Sequence, residues 1–231
     1  MLGLGISLGS ESVLSSDGFS TPADLPSIEH WFKHNTGITH NAGSPDFKVT
    51  QWDDQINTKH WLASANHPVY DGTTETIKFN GSAKAMITTG GTGSDISLDG
   101  DFAIYIRIKF ATTPNNTDIF IKDNQQSDHF FRANDATTIR AKINSGSLDW
   151  TVGTMGTSAF HNIGIERSGS DTRVYLDGTQ SETGAISNTE TFLIDTLKGG
   201  FGDFFSTLII VKGSALSTDD RAALQTYLAA L

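Results

Sequence analysis

The chain has no cysteine, few basic residues, only 5 prolines and no long apolar run. Without cysteine among its 231 residues it holds no disulfide and no thiolate-ligated zinc. That fits synthesis in a reducing compartment. Its 16 Lys and Arg stand against 26 Asp and Glu, a formal charge of −10, and no basic stripe interrupts this balance. Such a chain repels phosphate backbones, which argues against nucleic-acid binding and against polybasic membrane contact. No segment approaches the roughly 20 apolar residues of a membrane-spanning helix. The opening MLGLGISLGS lacks a positive n-region and a clear cleavage site, and Gly3, Gly5 and Gly9 break its apolar run. It is therefore expected not to be a signal peptide. Pro-rich linkers and internal repeats are absent too.

What is present suits a strand-and-turn protein. Hydrophobic residues make up 37% of the chain, including 14 Phe, enough for a sizeable core. Charged residues are only 18%, against 23 Gly and abundant Ser, Thr and Asn. The clearest strand is 101–111. Phe102, Ile104, Ile106, Ile108 and Phe110 occupy one face, and Ala103, Tyr105, Arg107 and Lys109 the other. This strict alternation marks a strand with one buried and one polar face. Shorter strands are expected over 118–122, 129–133, 138–144 and 147–152, with a turn at Ser145-Gly146. The segment 160–178 reads as two strands followed by an Asp177-Gly178 hairpin turn. Asn80-Gly81 signals another turn, with 85–88 as its return strand. Leu208 to Val211 is apolar on both faces, as in a strand covered on both sides. Ile28, Trp31 and Phe32 fall at helical spacing, which leaves open a helical turn or two or an irregular strand. Ser217 is a plausible N-cap for an amphipathic helix over 217–231, whose stripe is Leu224, Tyr227, Leu228 and Leu231. The expected architecture is all-β: a two-sheet antiparallel jelly-roll sandwich over 21–231 with one C-terminal α-helix. Residues 1–20 form an N-terminal arm, either frayed or docked on a neighbouring subunit through Leu2, Leu4, Ile6 and Leu8.

Three passages resemble the concanavalin A-like lectin/glucanase superfamily in its laminin-G-like form. They are FAIYIRIKF at 102–110, AFHNIGIERSGSDTRVYLDG at 159–178 and GGFGDFFSTLIIVKGSALSTDDRAALQTYL at 199–228. IEHWFK, VTQWDDQ and IKFNG further resemble a subset found among bacteriophage virion proteins. Phe160 departs from the pattern, which commonly has Trp there.

The resemblance implies several sites to look for. A glucanase-like member would carry E-x-D-x-x-E on one strand, because retaining hydrolysis needs two carboxylates about 5 Å apart. No such run exists, and Asp123, Asp128, Asp135, Glu182 and Glu190 read as solvated loop residues. Calcium at a sandwich rim would draw on Asp95, Asp99, Asp101, Asp118 or Asp123, foremost Asp99, Asp101 and Asp123, but acidic loops are ordinary at this net charge. Glycan platforms would be Trp52 beside Asp53, Trp61 and Tyr175, although each tryptophan suits a core equally well. His30 and His34 lack the further ligand that a metal site requires. The expectation is therefore a protein without enzyme activity, cofactor or bound metal. It would be a bacteriophage virion structural protein, a capsid decoration or part of the tail, made in the host cytoplasm. Its partners would be other virion proteins, in a homo-oligomer or a capsid or tail lattice. The alternatives are a glycan-binding adhesion module that recognises cell-surface glycans and a glycoside hydrolase.

Overall fold

The alternation over 102–110 becomes the middle of the first sheet. In the computed structural model, which describes residues 19–41, 47–63, 66–80, 85–91, 93–144 and 146–231, Phe102–Lys109 pairs antiparallel with His161–Ser168 on one side and Phe201–Lys212 on the other. Asp171–Leu176 and Thr179–Gln180 extend the sheet outward from the first, and Thr76–Asn80 and Val69–Asp71 from the second. The second sheet runs Gly146–Thr151, Thr138–Ile143, His129–Ala133, Ile119–Lys122, Thr196–Leu197, Met86–Thr88, Trp61–Ala63, Val49–Trp52, Ile38–His40. A two-stranded ribbon joins Ile96–Leu98 to Phe192–Ile194. The expected all-β sandwich is present. Residues 1–18 of the N-terminal arm, with Leu2, Leu4, Ile6 and Leu8, lie outside the described residues.

Two apolar clusters hold the layers. The larger fills the space between the sheets, where Phe102, Ile104, Ile106 and Ile108 meet Phe120, Phe131, Ile139 and Trp150. Each such side chain contributes about 1.5–3 kcal/mol on burial. The second lies on the outer face of the first sheet, where Leu216, Leu224 and Leu228 cover Ala103, Tyr105, Ile209 and Val211. This corrects the reading of Ala103 and Tyr105 as members of a polar face, and it explains why Leu208 to Val211 is apolar on both sides. The helix spans Thr218–Ala229, slightly shorter than 217–231, and Ser217 caps it by accepting a hydrogen bond from the Asp220 amide at 3.0 Å.

The helical spacing of Ile28, Trp31 and Phe32 is coincidental. Ile28–Phe32 is a strand paired with Phe201–Lys212. Its neighbours Trp31 and Phe32 point to opposite faces, Trp31 into the cluster under the helix and Phe32 into the core between the sheets. The return strand expected after Asn80 is also corrected. Met86–Thr88 crosses to the second sheet and pairs with Trp61–Ala63 and Thr196–Leu197. The hairpin at Asp177-Gly178 forms as expected. Both residues have positive φ, 49° and 83°, which a tight two-residue turn between right-twisted strands requires.

A buried polar latch fixes the helix to the sheet. Arg221 donates from Nε and Nη2 to the two oxygens of Glu166, each at 2.8 Å, and from Nη2 to the Leu216 carbonyl at 3.0 Å. Tyr105 donates its hydroxyl to Glu166 Oε1. Gly164 faces Tyr105 across the strand pair, and a Cβ there would lie 2.4 Å from the ring, so only glycine admits the tyrosine at this depth.

Candidate cation site at the sandwich rim

The ribbon and the second sheet bring three loop aspartates together. Ile96 pairs with Ile194 at the ribbon's end, so Asp95, just before one, and Asp195, just after the other, become neighbours. Lys122 pairs with Thr196, which places Asp123 beside them. One carboxylate oxygen from each of Asp95, Asp123 and Asp195 lies within 4.8 Å of the others. That spacing is about twice a calcium–oxygen bond.

The hydrogen bonds around the three acids are unevenly filled. Asp195 Oδ1 accepts from the Asn124 amide at 2.8 Å and from the Thr196 hydroxyl at 2.6 Å, and its Oδ2 accepts from the Gly93 amide at 3.2 Å. Asp123 Oδ1 accepts from the Gln125 amide at 2.7 Å. Asp123 Oδ2 and Asp95 Oδ1 are both buried without a partner, although Asp123 is only 2% exposed. Burial, and then the charges of Asp123 and Asp195, raise the Asp95 carboxyl above its ordinary range. Two orphaned oxygens in a mutually repelling cluster are expensive without a counter-charge. An all-oxygen donor set suits a hard cation such as calcium. The calcium that the family resemblance implies therefore fits these residues.

Of the calcium candidates read from sequence, Asp95 and Asp123 are in the cluster, and Asp195, which was not singled out, completes it. Asp99 is exposed and meets Lys212 at 3.7 Å, and Asp101 accepts from the Gly169 amide. Asp118 is buried near Asp203 instead, as the space around Gly200 shows.

None of the glycan platforms is a surface. Trp52 and Trp61 are wholly buried and each packs its ring 5.6 Å from that of Phe32. Tyr175 is buried beneath Arg221, whose guanidinium stacks 4.5 Å from its ring centre. Asp53 accepts from Gln51, two residues earlier on the adjoining strand, and lies 3.4 Å from His60. The two histidines at 30 and 34 do not share a metal. His30 pairs with buried Asp54 at 2.5 Å, and His34 with the Ser206 hydroxyl at 2.8 Å. Burial alone would raise the Asp54 carboxyl, but His30 and the Ile56 and Trp31 amides outweigh it and hold it below its usual range.

No protein-family model and no curated protein matches the chain. Solved structures with a similar fold do exist. A Trypanosoma rangeli sialidase, solved with 2,3-difluorosialic acid, is similar over 87% of this chain at 10% identity and a TM-score of 0.56. The match covers 33% of the sialidase's length. The binding domain of Paraclostridial Mosquitocidal Protein 1 is similar over 83% of this chain and 52% of its own at 16% identity, with a TM-score of 0.54. Domain 4 of AbnA, an extracellular arabinanase from Geobacillus stearothermophilus solved with arabinotriose, is similar over 87% of this chain and all of its own, at 13% identity and a TM-score of 0.52. At these identities the likeness shows the fold alone.

Proposed function

We propose that the chain is a non-catalytic carbohydrate-recognition module whose rim loops are organised by calcium. The observation that carries this is the Asp95–Asp123–Asp195 cluster with its two orphaned buried oxygens. A cation there ties three loops into one rigid edge, and rigid loops at the end of a sandwich are where such folds present binding groups. Support for a sugar as the ligand comes from the similar AbnA domain, whose structure holds arabinotriose. Support for a non-catalytic role comes from the carboxylates themselves. Asp118 and Asp203 are each 2% exposed, out of reach of a substrate, and the rim acids face one another across a cation-sized gap.

The test is calorimetry and thermal unfolding of EDTA-stripped protein titrated with calcium. Calcium at a hundredfold excess over its Kd should raise stability by about 2.7 kcal/mol. Asp123→Asn keeps the oxygen that Gln125 uses and removes the charge, so it should abolish most of that gain. A midpoint indifferent to calcium sinks the cation, and a panel of oligosaccharides that includes arabinotriose, with no binder, sinks the sugar.

A second reading rests on IEHWFK, VTQWDDQ and IKFNG, which resemble phage virion domains. On that reading the module decorates a capsid or tail and meets surface glycans of the host. Absence of the protein from purified particles would dispose of it.

A further inference from the structure

A separate open cleft lies away from the rim. It lies between the outer face of the first sheet and the last turns of the helix, encloses about 550 Å³, and is lined by Arg107, Phe160, Asn162, Asp177, Gln225 and Thr226 among others. None of these residues takes part in the rim cluster. The volume is in the range that holds a small ligand.

The walls of the cleft are polar and pre-set. Asn162 is buried, and both ends of its amide are engaged. Its Oδ1 accepts from Arg107 Nη1 at 2.9 Å, and its Nδ2 donates to Gln225 Oε1 at 3.3 Å. This chain of contacts fixes which way the Gln225 amide points, and it leaves Gln225 Nε2 buried without a partner. Arg107 stacks over the Phe160 ring at 5.1 Å and makes no ion pair among the described residues. Burial disfavours its charge, and only the more distant Asp177 partly offsets this. Asp177 uses Oδ1 to accept from the Asn162 amide at 2.7 Å and Oδ2 to hold His161 at 2.8 Å, while nearly half of its side chain stays exposed. The cleft thus offers unused donors from Arg107 and Gln225, acceptor capacity from Asp177 and the hydroxyl of Thr226. An aromatic ring forms part of its wall.

We infer that this cleft is a binding subsite for a neutral, polyhydroxylated ligand of one or two sugar rings, held independently of the rim cation. The charges decide for a neutral ligand. Arg107 is balanced by Asp177 and by the negative carbonyl end of the helix, whose last turn carries no basic residue. An anion would meet that repulsion and a cation would meet Arg107. A hydroxyl both donates and accepts, so adjacent hydroxyls satisfy Gln225 Nε2 and Arg107 on one side and Asp177 on the other.

The inference shares the sugar-recognition reading but not its cation, so the two fail separately. Arabinotriose and cellotriose serve as neutral probes, and tri-galacturonic acid as an anionic one, each titrated by calorimetry and by saturation-transfer NMR with and without EDTA. Gln225→Glu keeps the size of the side chain, removes the orphaned donor and hands Arg107 a carboxylate. It should weaken neutral-sugar binding by about tenfold or more while leaving the thermal midpoint unchanged or higher. Phe160→Ala should weaken binding similarly. Neutral binding that survives EDTA but not these substitutions supports the cleft. Binding abolished by EDTA yet untouched by both variants, binding of the acidic trimer alone, or no binding by any probe overturns it.

Discussion

Arg221→Ala is expected to destabilise the protein by about 3–5 kcal/mol, the cost of stranding a buried charge. Glu166 is 3% exposed and receives both of its charged hydrogen bonds from Arg221. Without that guanidinium it keeps only the Tyr105 hydroxyl among its side-chain partners. Truncation also uncovers Tyr175 and frees the Leu216 carbonyl, so the start of the helix loosens. Denaturant unfolding measures the loss, and the near-ultraviolet signal of Trp31, which meets the Tyr227 ring at 6.2 Å, reports the helix. Arg221→Lys should recover only part of the stability, because an ammonium cannot span both oxygens in the same plane. A loss under about 1 kcal/mol would place the pair with ordinary surface bridges and refute the latch.

Stability should also fall as pH rises from 4 to 7, by about 3 kcal/mol in all, through one buried acid. Burial, and then the Asp118 charge, push Asp203 up to about 6, against the countering Ala111 and Gly200 amides. In the unfolded chain it titrates near its ordinary value of 3.8. Between these values the folded protein binds more protons, so raising the pH favours unfolding, and the penalty is complete only above pH 6. Asp203→Asn removes the titration. It costs one amide acceptor, and it should narrow or reverse its deficit as the pH climbs. Unfolding free energies of both proteins at pH 4.5 and 7.0 decide the matter. A difference between them that does not change with pH would show that Asp203 carries no such shift.

The sequence disclosed the parts of the fold whose pattern is local. Phe102 to Phe110 alternates because one face lies in the core between the sheets, and Ser217 caps a helix because the cap needs only its own first turn. It misled where a second layer intervenes. Ala103 and Tyr105 look like members of a polar face until the helix covers them, and Trp31 and Phe32 look helical because each fills a different core. The rim cluster was hardest to see. Asp95, Asp123 and Asp195 sit on three separate loops, and only the pairings Ile96 with Ile194 and Lys122 with Thr196 make them neighbours. The cleft is equally non-local, since it depends on where the helix's last turns settle over Asn162. The aromatic candidates lie in the core for a simpler reason. Large rings are drawn to the interior, and Trp52, Trp61 and Tyr175 are there.

The rim contacts span long stretches of chain: 102 residues separate Gly93 from Asp195 across their hydrogen bond, and 71 separate Asn124 from Asp195. An ion held at this point closes loops of that length, which is the task a disulfide performs in chains that have cysteine. Unlike a disulfide, calcium bound there as proposed would be a reversible cross-link, set by the calcium concentration of the surroundings. Dilution into a calcium-poor medium would then act as reduction does elsewhere, opening the rim to proteases while the sheets beneath stay paired.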